Sequence, residues 1–369
     1  MPDPRIAKMA DVLVNYSVGV QPGDRVMVRG GPAADPLLKE IYVAILRAGG
    51  YPLTFVSLDG VEELFFQYAS DDQLRYIHEP YKMVYETYEV LISVGSATNT
   101  KQLTSVAPEK IRTMSQAQQP LFKTYMERAA AGDLRWVGCL YPTHAYAQDA
   151  EMGLVEYENF VYGACVPNLD DPVGYWKEFS EKQQKIVDWL AGKKTLRVEG
   201  PDVELTMNID GRVFVNCDGK KNMPDGEVFT GPVEDSVEGH VRFSYPSVYM
   251  GRKVEGIELH FEKGKVVKAT AEKGEDFLKK TLDTDEGSRF VGEFAIGTNE
   301  GITRATGHTL FDEKINGSFH MALGAGIPES KSVNQSAIHW DMVCDLSDRG
   351  KIWADDELFY ENGQFKVGS

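Results

Sequence analysis

Arg25-Val-Met-Val-Arg29, then Gly30-Gly31-Pro32, then an amphipathic run over positions 36–47 closed by Gly49-Gly50, then a second extended run over 51–56: this stretch decides the fold of the first half. A short apolar strand, a helix at 3.6-residue spacing with glycine at its end, and another strand make a β-α-β unit. The pattern continues outward. Ile6, Met9, Ala10 and Leu13 form a helical stripe before it, and Gly23-Asp24 is a turn. Positions 90–94 and 134–138 read as further strands, with helices between them, one over 109–131. Strands alternating with helices predict an α/β domain built on a mostly parallel, doubly wound sheet.

Positions 176–191 read as a long helix ended by Gly192-Lys193-Lys194, after which the character changes. Short strands follow at 196–198, 203–207 and 213–216. Positions 256–267 read as a hairpin around Glu262-Lys-Gly-Lys265, and 274–282 as a helix. The sequence thus predicts a boundary near residue 193. An α/β domain spans 1–193, and an α+β domain rich in antiparallel strands spans 194–369.

Composition narrows the function. The chain has 369 residues, 42% hydrophobic and 26% charged, with a net charge of −17. An acidic surface repels nucleic-acid phosphate and anionic membranes. No apolar run approaches the roughly 20 residues of a membrane span, and no signal peptide is evident, so a cytoplasmic protein is expected. Cys139, Cys165, Cys217 and Cys344 form no CxxC pair, which argues against a disulfide framework or a thiolate zinc site. GxGxxG, GxxxxGK[ST], GxSxG and HExxH are all absent, and Gly30-Gly31-Pro32 reads as a plain turn.

The chemistry concentrates late in the chain. Asn334-Gln-Ser-Ala-Ile-His-Trp-Asp-Met342 reads as a strand with Ile338, Trp340 and Met342 on one face and His339 and Asp341 on the other. An imidazole and a carboxylate two residues apart then point the same way over an apolar back. Glu227, Glu293 and His320 lie upstream. Three carboxylates and two imidazoles suit a hard or borderline divalent cation. Glu293 stands in an apolar run where a carboxylate is costly unless paired or bound to a cation. Glu227 reads equally as a solvated turn residue, and His320 as a satisfied core histidine. His78, His144, His240, His260 and His308 read as structural or solvated.

Seven blocks then carry a resemblance. They are Gly226-Glu-Val-Phe-Thr230, Phe243-Ser-Tyr-Pro246 with Gly251-Arg252, Val254-Glu-Gly256, Gly292-Glu-Phe-Ala-Ile-Gly-Thr-Asn299, Thr309-Leu-Phe-Asp-Glu-Lys314, His320-Met-Ala-Leu-Gly324 and Asn334-Gln-Ser-Ala-Ile-His-Trp-Asp341. In this order they resemble the thermophilic aminopeptidase family (aminopeptidase T and aminopeptidase S). Gly23-Asp-Arg25 and Ala48-Gly49 extend the likeness more loosely into the first half. The resemblance implies an exopeptidase that takes peptides with a free N-terminus, carries two divalent cations (zinc, cobalt or manganese) and forms a homodimer. It places the metal ligands on Glu227, Glu293, His320, His339 and Asp341, with Glu293 bridging. The proton shuttle then falls to Glu227 or Glu313. Asp312-Glu313-Lys314 reads equally as a solvated turn.

One departure stands out. The family has a tyrosine shortly after the first histidine, where this chain has Ile327. Isoleucine cannot donate a hydrogen bond to an oxyanion, a loss of about 10²–10³ in turnover unless another group (Tyr245 is one candidate) replaces it. Two alternatives therefore stay open: a metal-binding protein with lost or redirected peptidase activity, and a nucleotide- or sugar-binding α/β module. The first domain shows no ligand cluster and is expected to serve assembly or access control.

Overall fold

A computed structural model describes residues 3–367. The chain forms two compact units, one of residues up to Tyr175 with Gly219–Met223, the other of Trp176–Asp218 and the residues from Pro224 on.

The first unit carries a five-stranded sheet in the order Tyr51–Val56, Arg25–Gly30, Val90–Gly95, Arg135–Leu140, Asn222–Met223, parallel throughout. Val26, Met27 and Val28 are all buried, because a parallel sheet covered on both faces leaves no polar side. The helix Asp35–Ala48 packs Leu37, Leu38, Ile41 and Ile45 inward. It stops at Gly49, whose φ of 85° is left-handed and costs a side-chain-bearing residue energy. The expected N-terminal helix, Pro4–Asp11, runs on into a π-helical turn, Val12–Ser17. Its wider winding lets Val12, Leu13 and Val14 all be buried. The doubly wound parallel sheet is as expected. The strand Asn222–Met223 was not anticipated: two residues are too few to show a period.

The second unit begins within the helix Pro172–Leu190. Its Ile186 and Leu190 belong to the second unit's hydrophobic core, which is why the division falls at Tyr175 and not near residue 193. An eight-stranded sheet runs from Lys265–Thr270 to Gln364–Phe365, antiparallel throughout. A five-stranded antiparallel sheet has the order His339–Asp345, Ser318–Gly324, Val291–Gly297, Glu227–Thr230, Val215–Cys217. The strand predicted from Asn334 starts only at His339. The residues before it serve as a loop tie: Ser336 Oγ donates to Asp285 and Asn334 Nδ2 to the Gly287 and Gly324 carbonyls. Among the described residues no helix is long and apolar enough to cross a membrane.

Period-two alternation orients the five-stranded sheet. Val228, Phe294, Ile296, Phe319, Met321, Trp340 and Met342 enter one core. Glu227, Glu293, His320, His339 and Asp341 therefore project from the opposite face. Phe294 is fully buried and stacks on Phe319 with ring centroids 5.5 Å apart. Phe294→Ala is expected to cost about 3–5 kcal/mol of stability in chemical denaturation, the range for an emptied aromatic core position.

Candidate metal centre

The five residues singled out in the sequence converge. Glu227 comes from the strand Glu227–Thr230, Glu293 from Val291–Gly297, His320 from Ser318–Gly324, and His339 and Asp341 from His339–Asp345. Antiparallel register sets their neighbours. Gly297 pairs with Glu227, Ala295 with His320, Ala322 with both Glu293 and Asp341, and Gly324 with His339. These partners are all glycine or alanine, while on their other sides His320 pairs with Val343 and Glu227 with Cys217. A register shift between Val291 and Glu293, the mark of a bulge, re-aims the Glu293 side chain.

Glu293 stands at the middle. Its Oε1 lies 3.4 Å from His320 Nε2 and its Oε2 lies 3.5 Å from His339 Nε2. His320 Nε2 is also 3.3 Å from Glu227 Oε2, and His339 Nε2 is 3.4 Å from Asp341 Oδ1. Two overlapping triads result: Glu227, Glu293 and His320, then Glu293, His339 and Asp341, each with ligand atoms within 4.8 Å of one another. The first is buried, while the imidazole of His339 is about a third exposed and opens the second to solvent.

Both imidazoles are held from behind. His320 Nδ1 donates to the Glu313 carbonyl oxygen at 3.0 Å, and His339 Nδ1 to the Ala325 carbonyl oxygen at 2.8 Å. Each bond fixes the ring and directs Nε2 into the cluster, the usual support of a metal-ligating histidine. The remaining polar atoms fit a cation. Glu227 Oε2 and His320 Nε2 are fully buried and, although close, make no hydrogen bond with each other or with anything else. Buried polar atoms are rarely left so, and here they are a carboxylate oxygen and an imidazole nitrogen facing one another. The donor set and these orphaned atoms fit a divalent ion.

Charge explains the rest. Two like charges about 4 Å apart repel by about 4 kcal/mol at an effective dielectric near 20. Glu227, Glu293, Glu313 and Asp341 are all within this small volume, so positive charge must enter with them. Burial pushes the Glu293 and Glu313 carboxyls up. Burial also disfavours charged imidazoles, but the surrounding carboxylates win and raise His320 to about 9 and His339 to about 10. Burial opposes ionisation of Asp341 too, yet His339 holds that carboxyl well below its ordinary range.

In the sequence, Asp312-Glu313-Lys314 reads equally as a solvated turn. The structure buries Asp312 and Lys314 instead. Lys314 Nζ is 3.1 Å from Glu227 Oε1 and 2.6 Å from Glu313 Oε2. Glu313 also lines a small pocket with Asp341. Glu227 is buried, not a solvated turn residue. Asp225 and Cys217, also missed, lie beside Glu227 in a third group of ligand-type atoms. Lys314 lies between Phe311 and Ile315, and that apolar flanking was the available signal. Tyr245 is pushed up to about 12 by burial and by Asp345 and Asp312, so the carboxylates acting on it are not those of the cluster. Ile327 opens the turn Pro328–Ser330.

An antiparallel sheet presenting buried carboxylates and imidazoles in two overlapping triads offers the kind of ligand set that metalloenzymes use. The chain belongs to the thermophilic metalloprotease family (M29), whose profile matches residues 2–365. It is 29% identical to aminopeptidase 2 of Geobacillus stearothermophilus, with 92% of each chain covered. It is 31% identical to aminopeptidase T of Thermus aquaticus, covering 67% of this chain and 68% of that one. In fold it matches AmpT of Thermus thermophilus with a TM-score of 0.86 at 22% identity, covering 98% of this chain and 99% of that one. It also matches 2,5-dihydroxypyridine dioxygenase of Pseudomonas putida with a TM-score of 0.59 at 13% identity, covering 98% and 96%.

Lys314→Met removes the ammonium and leaves Glu227 and Glu313 facing each other uncompensated. Breaking such a buried pair costs about 3–5 kcal/mol. Denaturant unfolding of the metal-free protein should show a loss of that order, and a variant as stable as the parent would contradict this charge assignment.

Proposed function

We propose that the chain is a metal-dependent aminopeptidase that removes N-terminal residues from peptides, with two divalent cations (zinc, cobalt or manganese) held by Glu227, Glu293, His320, His339 and Asp341. The observation that carries the reading is the placement of Glu293, one carboxylate oxygen toward each imidazole. That is the disposition of a carboxylate shared between two cations. When bound, such cations supply Lewis acidity to the scissile carbonyl and to the attacking water.

The chain's own groups do the remainder. Glu227 is engaged on both sides, Oε1 by Lys314 and Oε2 toward His320, which suits a ligand and not a mobile base. Glu313 is the better proton carrier. Burial raises its carboxyl well above the ordinary range, and it lies in the small pocket beside Asp341. In its ionised form, which Lys314 favours, it takes a proton from water, and in the protonated form that burial favours it returns that proton to the leaving amine. The surplus of carboxylates around the solvent-reached Asp341 and His339 favours a positively charged α-amino terminus there, which restricts cleavage to the chain end. Ile327 brings no hydroxyl to an oxyanion, and this favours a second reading in which the centre binds metal with peptidase activity lost or redirected.

Turnover of aminoacyl anilides with cobalt, manganese or zinc tests the proposal. The parent should cleave substrates with a free amine and spare their N-acetylated forms. His339→Ala and Glu293→Ala should each lose at least one cation by elemental analysis, and their turnover with it. Glu313→Gln should keep its metal and lose about 10²–10⁴ in kcat. Tight metal binding with no turnover of any free-amine substrate would instead establish the second reading.

Metal loading must also expel protons, since His320 and His339 are raised to about 9 and about 10 in the metal-free chain and bind cations only when neutral. Calorimetry at pH 7 in buffers of different ionisation enthalpy should therefore register proton release, and apparent metal affinity should rise with pH between 6 and 8.

A further inference from the structure

The first unit contains a crevice of about 830 Å³ that the metal centre does not use. Its position follows from topology. The strand Arg25–Gly30 lies between Tyr51–Val56 and Val90–Gly95, so the chain winds to one side of it and then to the other. In an open parallel sheet, ligands bind outside the carboxyl ends of the strands where that reversal occurs. Arg29 and Gly31, Val56 and Ser57, and Ser96 are those ends, and all line the crevice. Its volume is within the usual range for a small-molecule site, about 300–1,000 Å³.

The lining indicates the ligand. Arg29 is held by bonds from Nε to Ser93 Oγ at 2.7 Å and from Nη1 to Tyr85 Oη at 3.2 Å. Among the described residues no carboxylate lies within ion-pair distance of it, and its Nη2 has no partner. A guanidinium braced in this way, with donors to spare, is pre-organised for a planar anion. A phosphate fits poorly. The Gly31 N–H that a phosphate loop would offer is donated to Ser96 Oγ at 3.0 Å, and Asp59 and Glu62 on the wall repel a dianion more strongly than the single charge of a carboxylate. Thr98, Gln102 and Gln118 add neutral polar groups to the wall, and aromatic and aliphatic side chains make up much of the rest. Tyr76 meets His78 edge-on with centroids 5.0 Å apart, and Tyr81 lies 5.2 Å from Phe55. Val56, Leu58, Val61, Phe65, Tyr76 and Tyr81 line this crevice and are 36–66% exposed. Exposed apolar side chains gathered at one place mark a binding surface.

We propose that this crevice is a second ligand site, for a small carboxylic acid with an aromatic or branched aliphatic body. The carboxylate pairs with Arg29, and the body lies against the Tyr76, His78 and Tyr81 rings. The site stands apart from the peptidase reading and does not depend on it.

Calorimetry of the full chain with 3-phenylpropanoate as probe tests this. The parent should bind one equivalent saturably. Binding should weaken ten-fold or more in Arg29→Gln, and as much when the parent is offered 3-phenylpropanamide, which has the same body and no charge. Tyr76→Ala keeps the charge and should weaken binding several-fold, which guards against a folding defect in the arginine variant. His339→Ala should bind as the parent does. No binding by the parent, equal binding by Arg29→Gln, loss of binding in His339→Ala, or displacement of the probe by equimolar inorganic phosphate would each overturn the proposal.

Discussion

The second unit is organised around a surplus of buried negative charge. Glu227, Glu293 and Asp341 sit close together on one face of a sheet whose opposite face is hydrophobic core, and Glu313 joins them from the end of the short helix Thr309–Asp312. No packing of neutral groups would tolerate this, since each uncompensated buried carboxylate costs several kcal/mol. The compensation is divided. Lys314, buried to the same degree, neutralises the Glu227–Glu313 edge permanently. The Glu293–Asp341 edge has only imidazoles, which hold protons when nothing else is bound. A lysine ammonium cannot be displaced by a cation, whereas an imidazole proton can. The charge requirement therefore leaves exchangeable positions at His320 and His339 and a fixed one at Lys314.

This division rests on backbone geometry. Ligands on neighbouring antiparallel strands approach one another more readily where residues paired with them are small, and here Ala295, Gly297, Ala322 and Gly324 are such partners. A Cβ added at Gly297 would fall 2.2 Å from the Ile315 carbonyl oxygen, and one at Gly324 equally close to that of Ile338. Close backbone crossings therefore wall the site. They also bring in the carbonyl oxygens that orient the histidines, Glu313 behind His320 and Ala325 behind His339.

Much of this was legible in the sequence, and the reasons are physical. The β-α-β rhythm of residues 25–56 survives because local periodicity and a glycine stop act over a few residues. His339 and Asp341 share a face because strand period does not depend on context. Other features depended on distant contacts. The unit boundary follows the burial of Ile186 and Leu190, which no local signal discloses. The strand at His339 starts late because Asn334 and Ser336 spend their side chains tying a loop to Asp285, Gly287 and Gly324. Lys314 looked solvated because lysine is almost never fully buried. Its burial is intelligible only once Glu227, far away in sequence, is beside it.

The same charge logic separates the two acidic residues that sequence left as alternative proton carriers. A proton carrier must exist in both forms at little cost, so it cannot be locked by a fixed ammonium on one oxygen and aimed at an imidazole by the other, as Glu227 is. Glu313 shares that ammonium but has no imidazole against it, and it lines the small pocket beside Asp341. Its backbone carbonyl meanwhile braces His320. One residue thus couples the orientation of a ligand, through its main chain, to a titratable group at the solvent-reached edge, through its side chain. Truncating that side chain leaves the brace intact, so the two roles are separable by substitution, and this supports assigning the proton to Glu313 and the cation to Glu227.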